Sequence, residues 1–145
     1  MQQGVSTPAS VPSKRRRGRA IVACADPEIR RLLLSVVGKF NLQPVCSDSL
    51  DEAKALMKQQ DTAMVFSQPR FREGGFKDVL TAASRAEAKV PVIVCSEFYD
   101  RDLYIEAMSL GAFDYLAFPI RQEQVEWIIS NAVKSRAGGA PEVRH

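Results

Sequence analysis

The sequence predicts an α/β domain built on a five-stranded parallel sheet in the order 2-1-3-4-5, doubly wound, with a helix after every strand. Three observations carry this expectation. Short apolar runs alternate five times with stretches whose apolar residues recur at three and four positions. Capping and turn residues fall between these segments. The length is 145 residues, 46% hydrophobic and 26% charged, which suits a single core. Right-handed crossovers then place helices on both faces.

The first apolar run is 20–24. Asp26, Pro27 and Glu28 follow as an N-cap acid, a first-turn proline and a first-turn acid, so a helix is expected to about Phe40. Ile29, Leu32, Leu33, Val36 and Val37 form its buried face. Residues 42–47 make a short second strand, and Ser49 caps a helix over 50–60 with Ala53, Leu56 and Met57 inward. The third run, Ala63, Met64, Val65 and Phe66, breaks into Ser67, Gln68 and Pro69. It reads as a buried parallel strand that delivers Gln68 to the rim of the sheet. Gly74 and Gly75 suggest a flexible loop before a helix marked by Phe76, Val79, Leu80 and Ala83. Residues 90–96 form the fourth strand, with Pro91 tolerable near its start. A helix opens near Asp100 and stops at Gly111. Residues 112–118 form the fifth strand, ended by Pro119. A final helix over 122–135 turns Val125, Ile128, Ile129 and Ala132 inward. In this strand order Cys24, Ala25, Asp26, Gln68 and Ser96 gather at one crevice.

The net charge of +3 is unevenly spread. Lys14, Arg15, Arg16, Arg17 and Arg19 lie together with no acid before Asp26; without them 15 basic residues face 17 acids, about −2 for the rest. Residues 1–18 read as a disordered basic tail, 19–136 as the folded domain and 137–145 as a second disordered tail. The basic run could contact nucleic-acid phosphates, although it lacks interleaved aromatics and also reads as a solvated linker. No apolar run approaches the roughly 18 residues of a membrane span, and the N-terminus lacks a signal-like apolar segment, so a cytoplasmic location is expected. Cys24, Cys46 and Cys95 are odd in number and widely spaced, which argues against disulfides. They read as small buried hydrophobes, or as a thiol switch. Phe71, Phe98, Tyr99 and Trp127 are candidates for an exposed apolar surface.

Three stretches carry a family resemblance: IVACADPEIRRLL over 21–33, VPVIVCS over 90–96, and GAFDYLAFP over 111–119. In this order, from about Arg19 to Ser135, the chain resembles the receiver domains of bacterial response regulators, the CheY-like family with its flavodoxin-like (βα)5 fold. The resemblance implies a part in two-component, or phosphorelay, signal transduction. Receivers hold Mg²⁺ with an acidic pair after the first strand and accept a phosphoryl group on an aspartate after the third. A hydroxyl after the fourth strand and a lysine after the fifth contact the phosphoryl oxygens. By this resemblance the acidic pair falls on Cys24 and Ala25, the phosphoacceptor on Gln68 and the lysine on Phe118. The hydroxyl survives as Ser96, and the family's switch aromatic is Tyr115, with Ser96 its expected partner.

A hard cation seeks carboxylate and water oxygens, which a sulfur and a methyl group do not supply. A neutral amide is a poor nucleophile toward phosphorus, and without metal or lysine the transferring oxygens keep their charge uncompensated. The reading is therefore a stand-alone pseudo-receiver, not an enzyme, with no cofactor or metal. It would bind a protein partner, or itself, through the face of helix 4, strand 5 and helix 5, where receivers commonly dock. With no effector domain following Ser135, output would pass by contact. Two alternatives stay open: a conventional Mg²⁺-dependent phosphoaccepting regulator, with Asp26 as a lone ligand or Ser67 as the acceptor, and a nucleic-acid-binding protein driven by the tail.

Overall fold

The structure is a computed structural model that describes residues 18–59, 61–86 and 89–136. The expected tails over 1–18 and 137–145, including Lys14, Arg15, Arg16 and Arg17, lie outside the described residues except for Gly18. Five strands form one parallel sheet: β1 (Arg19–Ala23), β2 (Gln43–Cys46), β3 (Thr62–Ser67), β4 (Val92–Ser96) and β5 (Asp114–Ala117), in the spatial order β2-β1-β3-β4-β5. The helices are α1 (Pro27–Val37), α2 (Leu50–Met57), α3 (Phe76–Arg85), α4 (Arg101–Ser109) and α5 (Gln122–Arg136), with a 3₁₀ turn at Gly38–Phe40 closing α1. The expected doubly wound order is the one observed.

Side chains alternate across the sheet and build a core on each face. On one face Val22, Phe66, Ile93 and Leu116 meet Leu33, Val36, Ile128 and Ile129 of α1 and α5. On the other, Ile21, Val65 and Val92 meet Leu50, Met57, Val79 and Ala83 of α2 and α3. All six residues of β3 are buried. A side chain such as Phe66 contributes about 1.5–3 kcal/mol by leaving water, so the central strand anchors the rim that follows it. Edge strand β2 is mostly exposed and carries Pro44, which blunts pairing with another chain.

The caps are the expected ones. Asp26, Ser49 and Asp100 accept the N–H groups of Ile29, Glu52 and Leu103 in the first turns of α1, α2 and α4. Gly111 takes φ +104° just past α4, where a side chain would be strained.

Three expectations need correction. The loop after β3 is a tight hydrogen-bonded turn: Arg70 bridges Gly75, Phe71 N–H donates to Gly74 O at 2.7 Å and Gly75 N–H donates to Asp78 Oδ2 at 3.0 Å. Its glycines serve close approach, since a Cβ on Gly74 would meet Asp78 and Leu50. Arg19, placed in the folded domain but counted with the basic run as a possible phosphate contact, is not a free cation of that run. It opens β1, and its guanidinium pairs with Asp61 at 2.9 Å. Phe71 and Trp127 are not exposed surface but pack, partly buried, against the two cores.

Candidate functional site

The site lies at the carboxyl ends of β1, β3 and β4. Ala23 pairs with Ser67, and Ser67 with Val94, so the next residues, Cys24, Gln68 and Cys95, form a row across three strands. Above the row opens a cavity of about 320 Å³ lined by Cys24, Ala25, Asp26, Gln68 and Ser96, together with Arg70, Glu97 and Phe98. The five residues expected to gather do so.

Gln68 is held at both ends of its amide. Its Oε1 accepts the Ala25 N–H at 2.8 Å, and its Nε2 donates to the Arg70 carbonyl at 2.8 Å. Its own backbone N–H donates to Ala23 O at 3.0 Å. One side chain thus fastens the β1–α1 loop to the β3–α3 loop across the mouth of the cavity. An amide offers both a donor and an acceptor, which a carboxylate cannot.

The neighbouring donors are also committed. Asp26 spends Oδ2 on capping α1. Cys24 is buried, with Sγ 3.7 Å from Phe66 O. Burial first, and then a hydrogen bond that the Cys95 thiol donates to Cys24 with the repulsion a charge on Cys24 would add, push the Cys95 thiol well above its ordinary pKa. Cys24 and Cys95 therefore sit together on the cavity floor, whereas Cys46 stands exposed on β2. Among the described residues no three His, Cys, Asp or Glu side chains come together as metal ligands. The donor set at the matched positions fits Mg²⁺ poorly: Cys24 offers sulfur, Ala25 a methyl group and Gln68 an amide oxygen that already accepts a hydrogen bond, while Asp26 caps α1 and Glu97 is the other carboxylate lining the cavity.

Ser96 and Tyr115 both act on the β4–α4 loop. Ser96 Oγ donates to Phe98 O at 2.6 Å and accepts the Phe98 N–H at 3.3 Å. The buried Tyr115 hydroxyl donates to the same Phe98 carbonyl at 3.4 Å and accepts the Asp100 N–H at 3.2 Å. The expected direct pairing of the two hydroxyls is replaced by convergence on one backbone carbonyl. The Tyr115 ring also meets Tyr99 and Tyr104 edge-on, with centroids 6.1 and 5.6 Å away.

Phe118, in the position that the resemblance matches to the family lysine, stands outside the cavity. Its N–H donates to Ser96 O at 3.0 Å, but its ring is 42% exposed and does not line the cavity. The aromatic that does is Phe98. Sequence reasoning also missed Arg30, whose Nε donates to Cys24 O at 2.9 Å and whose Nη2 reaches Asp48 at 3.2 Å. Its position one turn after the Asp26 cap was the only signal, because both partners are tertiary.

No protein-family model matches the chain. It is 24% identical over 126 residues to the response regulator protein PilR of Pseudomonas aeruginosa, a match covering 87% of this chain and 28% of that protein. The chain spans just over a quarter of the length of the curated relatives it matches. A response regulator receiver domain protein from Clostridium thermocellum superposes with TM-score 0.72 at 19% identity, covering 83% of this chain and 97% of that one. The receiver domain of a sensor histidine kinase from Pseudomonas aeruginosa, which coordinates magnesium in its active-site cleft, superposes with TM-score 0.68 at 13% identity over 80% and 97%. The fold is that of CheY-like receivers. No helix among the described residues is long and apolar enough to cross a membrane.

Proposed function

We propose that this CheY-like receiver domain is a pseudo-receiver, a signalling module that acts by phosphorylation-independent protein–protein contact and carries out no phosphoryl transfer. The observation that carries the reading is the doubly bonded Gln68 amide at the position where the family resemblance puts the phosphoacceptor. An amide oxygen that already accepts the Ala25 N–H lacks the charge of an attacking carboxylate and is a weak nucleophile toward phosphorus. The matched acidic pair, Cys24 and Ala25, leaves Mg²⁺ without ligands, and Phe118 in the lysine position has no cation for the phosphoryl oxygens.

Retention of Ser96 fits a structural role, since its hydroxyl is engaged by its own loop. With Tyr115 buried and bonded to that loop, the β4–α4 segment is held in one arrangement without phosphate. The face of α4, β5 and α5 would then be presented constitutively. Tyr104 and Ile105 are 38% and 49% exposed on α4, and Phe118, just past the end of β5, is 42% exposed; such exposed apolar side chains suit a protein partner.

The test is incubation of the protein with Mg²⁺ and a small phosphodonor, read by intact mass and by Trp127 fluorescence. Neither should change, and Gln68→Asp should stay equally silent because Cys24, Ala25 and Phe118 remain. A phosphorylated species would overturn the proposal.

A further inference from the structure

We propose that the basic segment 14–17 of one copy docks on the aromatic, acid-bordered surface formed by the β4–α4 loop and the start of α4 of a second copy. The inference rests on the pseudo-receiver reading, because it uses the β4–α4 loop as that reading leaves it, held without phosphate beside the displayed face.

The surface is unusual in being both apolar and ordered. Phe98 and Tyr99 are 77% and 63% exposed, the two most exposed large hydrophobic side chains among the described residues. Single exposed aromatics are common. Here, however, the loop backbone is pinned by Ser96 and Tyr115, and the Tyr99 ring rests against Tyr104 with centroids 6.5 Å apart. Glu97 and Asp100 flank these rings in sequence and Asp102 follows; Asp100 also caps α4, and Arg101 and, across the cavity, Arg70 are the cations nearby. Such a surface suits arginine, whose planar cation stacks on an aromatic ring while its edge pairs with a carboxylate.

The chain itself carries the complementary segment. Lys14, Arg15, Arg16 and Arg17 are four consecutive cations, and no acid precedes Asp26. The segment leaves from the end of the sheet away from that surface, which favours the surface of another copy over that of its own molecule. Gly18 stands at the amino end of β1, where its carbonyl accepts the Gln43 N–H, and Phe98 stands beyond the carboxyl end of β4. The sheet rises about 16 Å over β1, and two strand spacings add about 10 Å sideways. Lys14 is four residues from Gly18, a span of at most about 14 Å. A second copy meets no such limit. Tail and surface lie at opposite ends of the sheet, so the contact is heterologous, with each copy offering both halves.

Sedimentation of the full chain at low and high salt tests this. Wild type should self-associate at low salt and dissociate at about 1 M, where screening shortens to about 3 Å. Replacing Lys14, Arg15, Arg16 and Arg17 by Ser should weaken association about tenfold or more, and so should Phe98→Ala with Tyr99→Ala. Both sites in the latter are exposed, so folding is spared, and far-ultraviolet circular dichroism checks this. An equal mixture of the two variants should regain association, since each supplies the half the other lacks. A wild type that stays monomeric, a tail variant that associates as wild type does, or a mixture that stays apart would each overturn the proposal. DNA retention through the tail without self-association would overturn it in favour of a nucleic-acid partner. The phosphodonor assay on the same samples is independent: added phosphate mass contradicts the pseudo-receiver reading, whereas failed mixing contradicts only the docking.

Discussion

At Gln68 the two ends of one amide join loops from different strands, with Ala25 N–H on the oxygen and Arg70 O on the nitrogen. Gln68→Glu keeps the length and the acceptor but loses the donor, and sets a carboxylate against a carbonyl. The expected cost is about 1 kcal/mol, kept low by partial exposure, and urea unfolding measures it. Cys95 makes a pH prediction. Its pKa is raised in the folded state, chiefly by burial, so its contribution to stability is intact below the ordinary thiol value of about 8.5. It is lost as pH rises above that value, where the unfolded thiol ionises and the folded one does not. Unfolding measured on both sides of this value should show the decline, and Cys95→Ala should flatten it. The residue types at this rim were legible in the sequence. The Gln68 bonds, the Arg30 contacts and the pairing of Cys24 with Cys95 were not, because each joins residues on different elements.

At the scale of elements, the segment that decides how the domain presents itself is the β4–α4 connection. Two hydroxyls converge on Phe98 O, one of them also accepts the Asp100 N–H, and Asp100 in turn caps α4. Tyr115→Phe keeps the ring contacts and removes both hydroxyl bonds. Amide exchange at Asp100 and in the first turn of α4 should accelerate while the central strands keep their protection; unchanged exchange would show that Ser96 alone holds the loop. Element boundaries were largely readable, because the Asp26, Ser49 and Asp100 caps and the glycine after α4 are local signals. The turn over Gly74 and Gly75 was misread as flexible. Glycine marks a close approach of backbone as readily as freedom, and only the positions of Asp78, Leu50 and the Pro69 carbonyl decide between them.

For the whole molecule, topology followed from five apolar runs and their spacing, since parallel strands joined by single helices leave few arrangements. Topology also brought the crevice together, since Cys24, Ala25, Asp26, Gln68 and Ser96 all line it. A receiver sheet ordinarily positions acids around a cation. Here the Gln68 amide spans the rim above the thiols of Cys24 and Cys95. The most direct test is a crystal structure determined after soaking in Mg²⁺ at high concentration. The account predicts Gln68 still spanning Ala25 and Arg70, with Asp26 on its helix cap and no ion between β1 and β3. An octahedral ion held there by Asp26 or the Gln68 oxygen would contradict it.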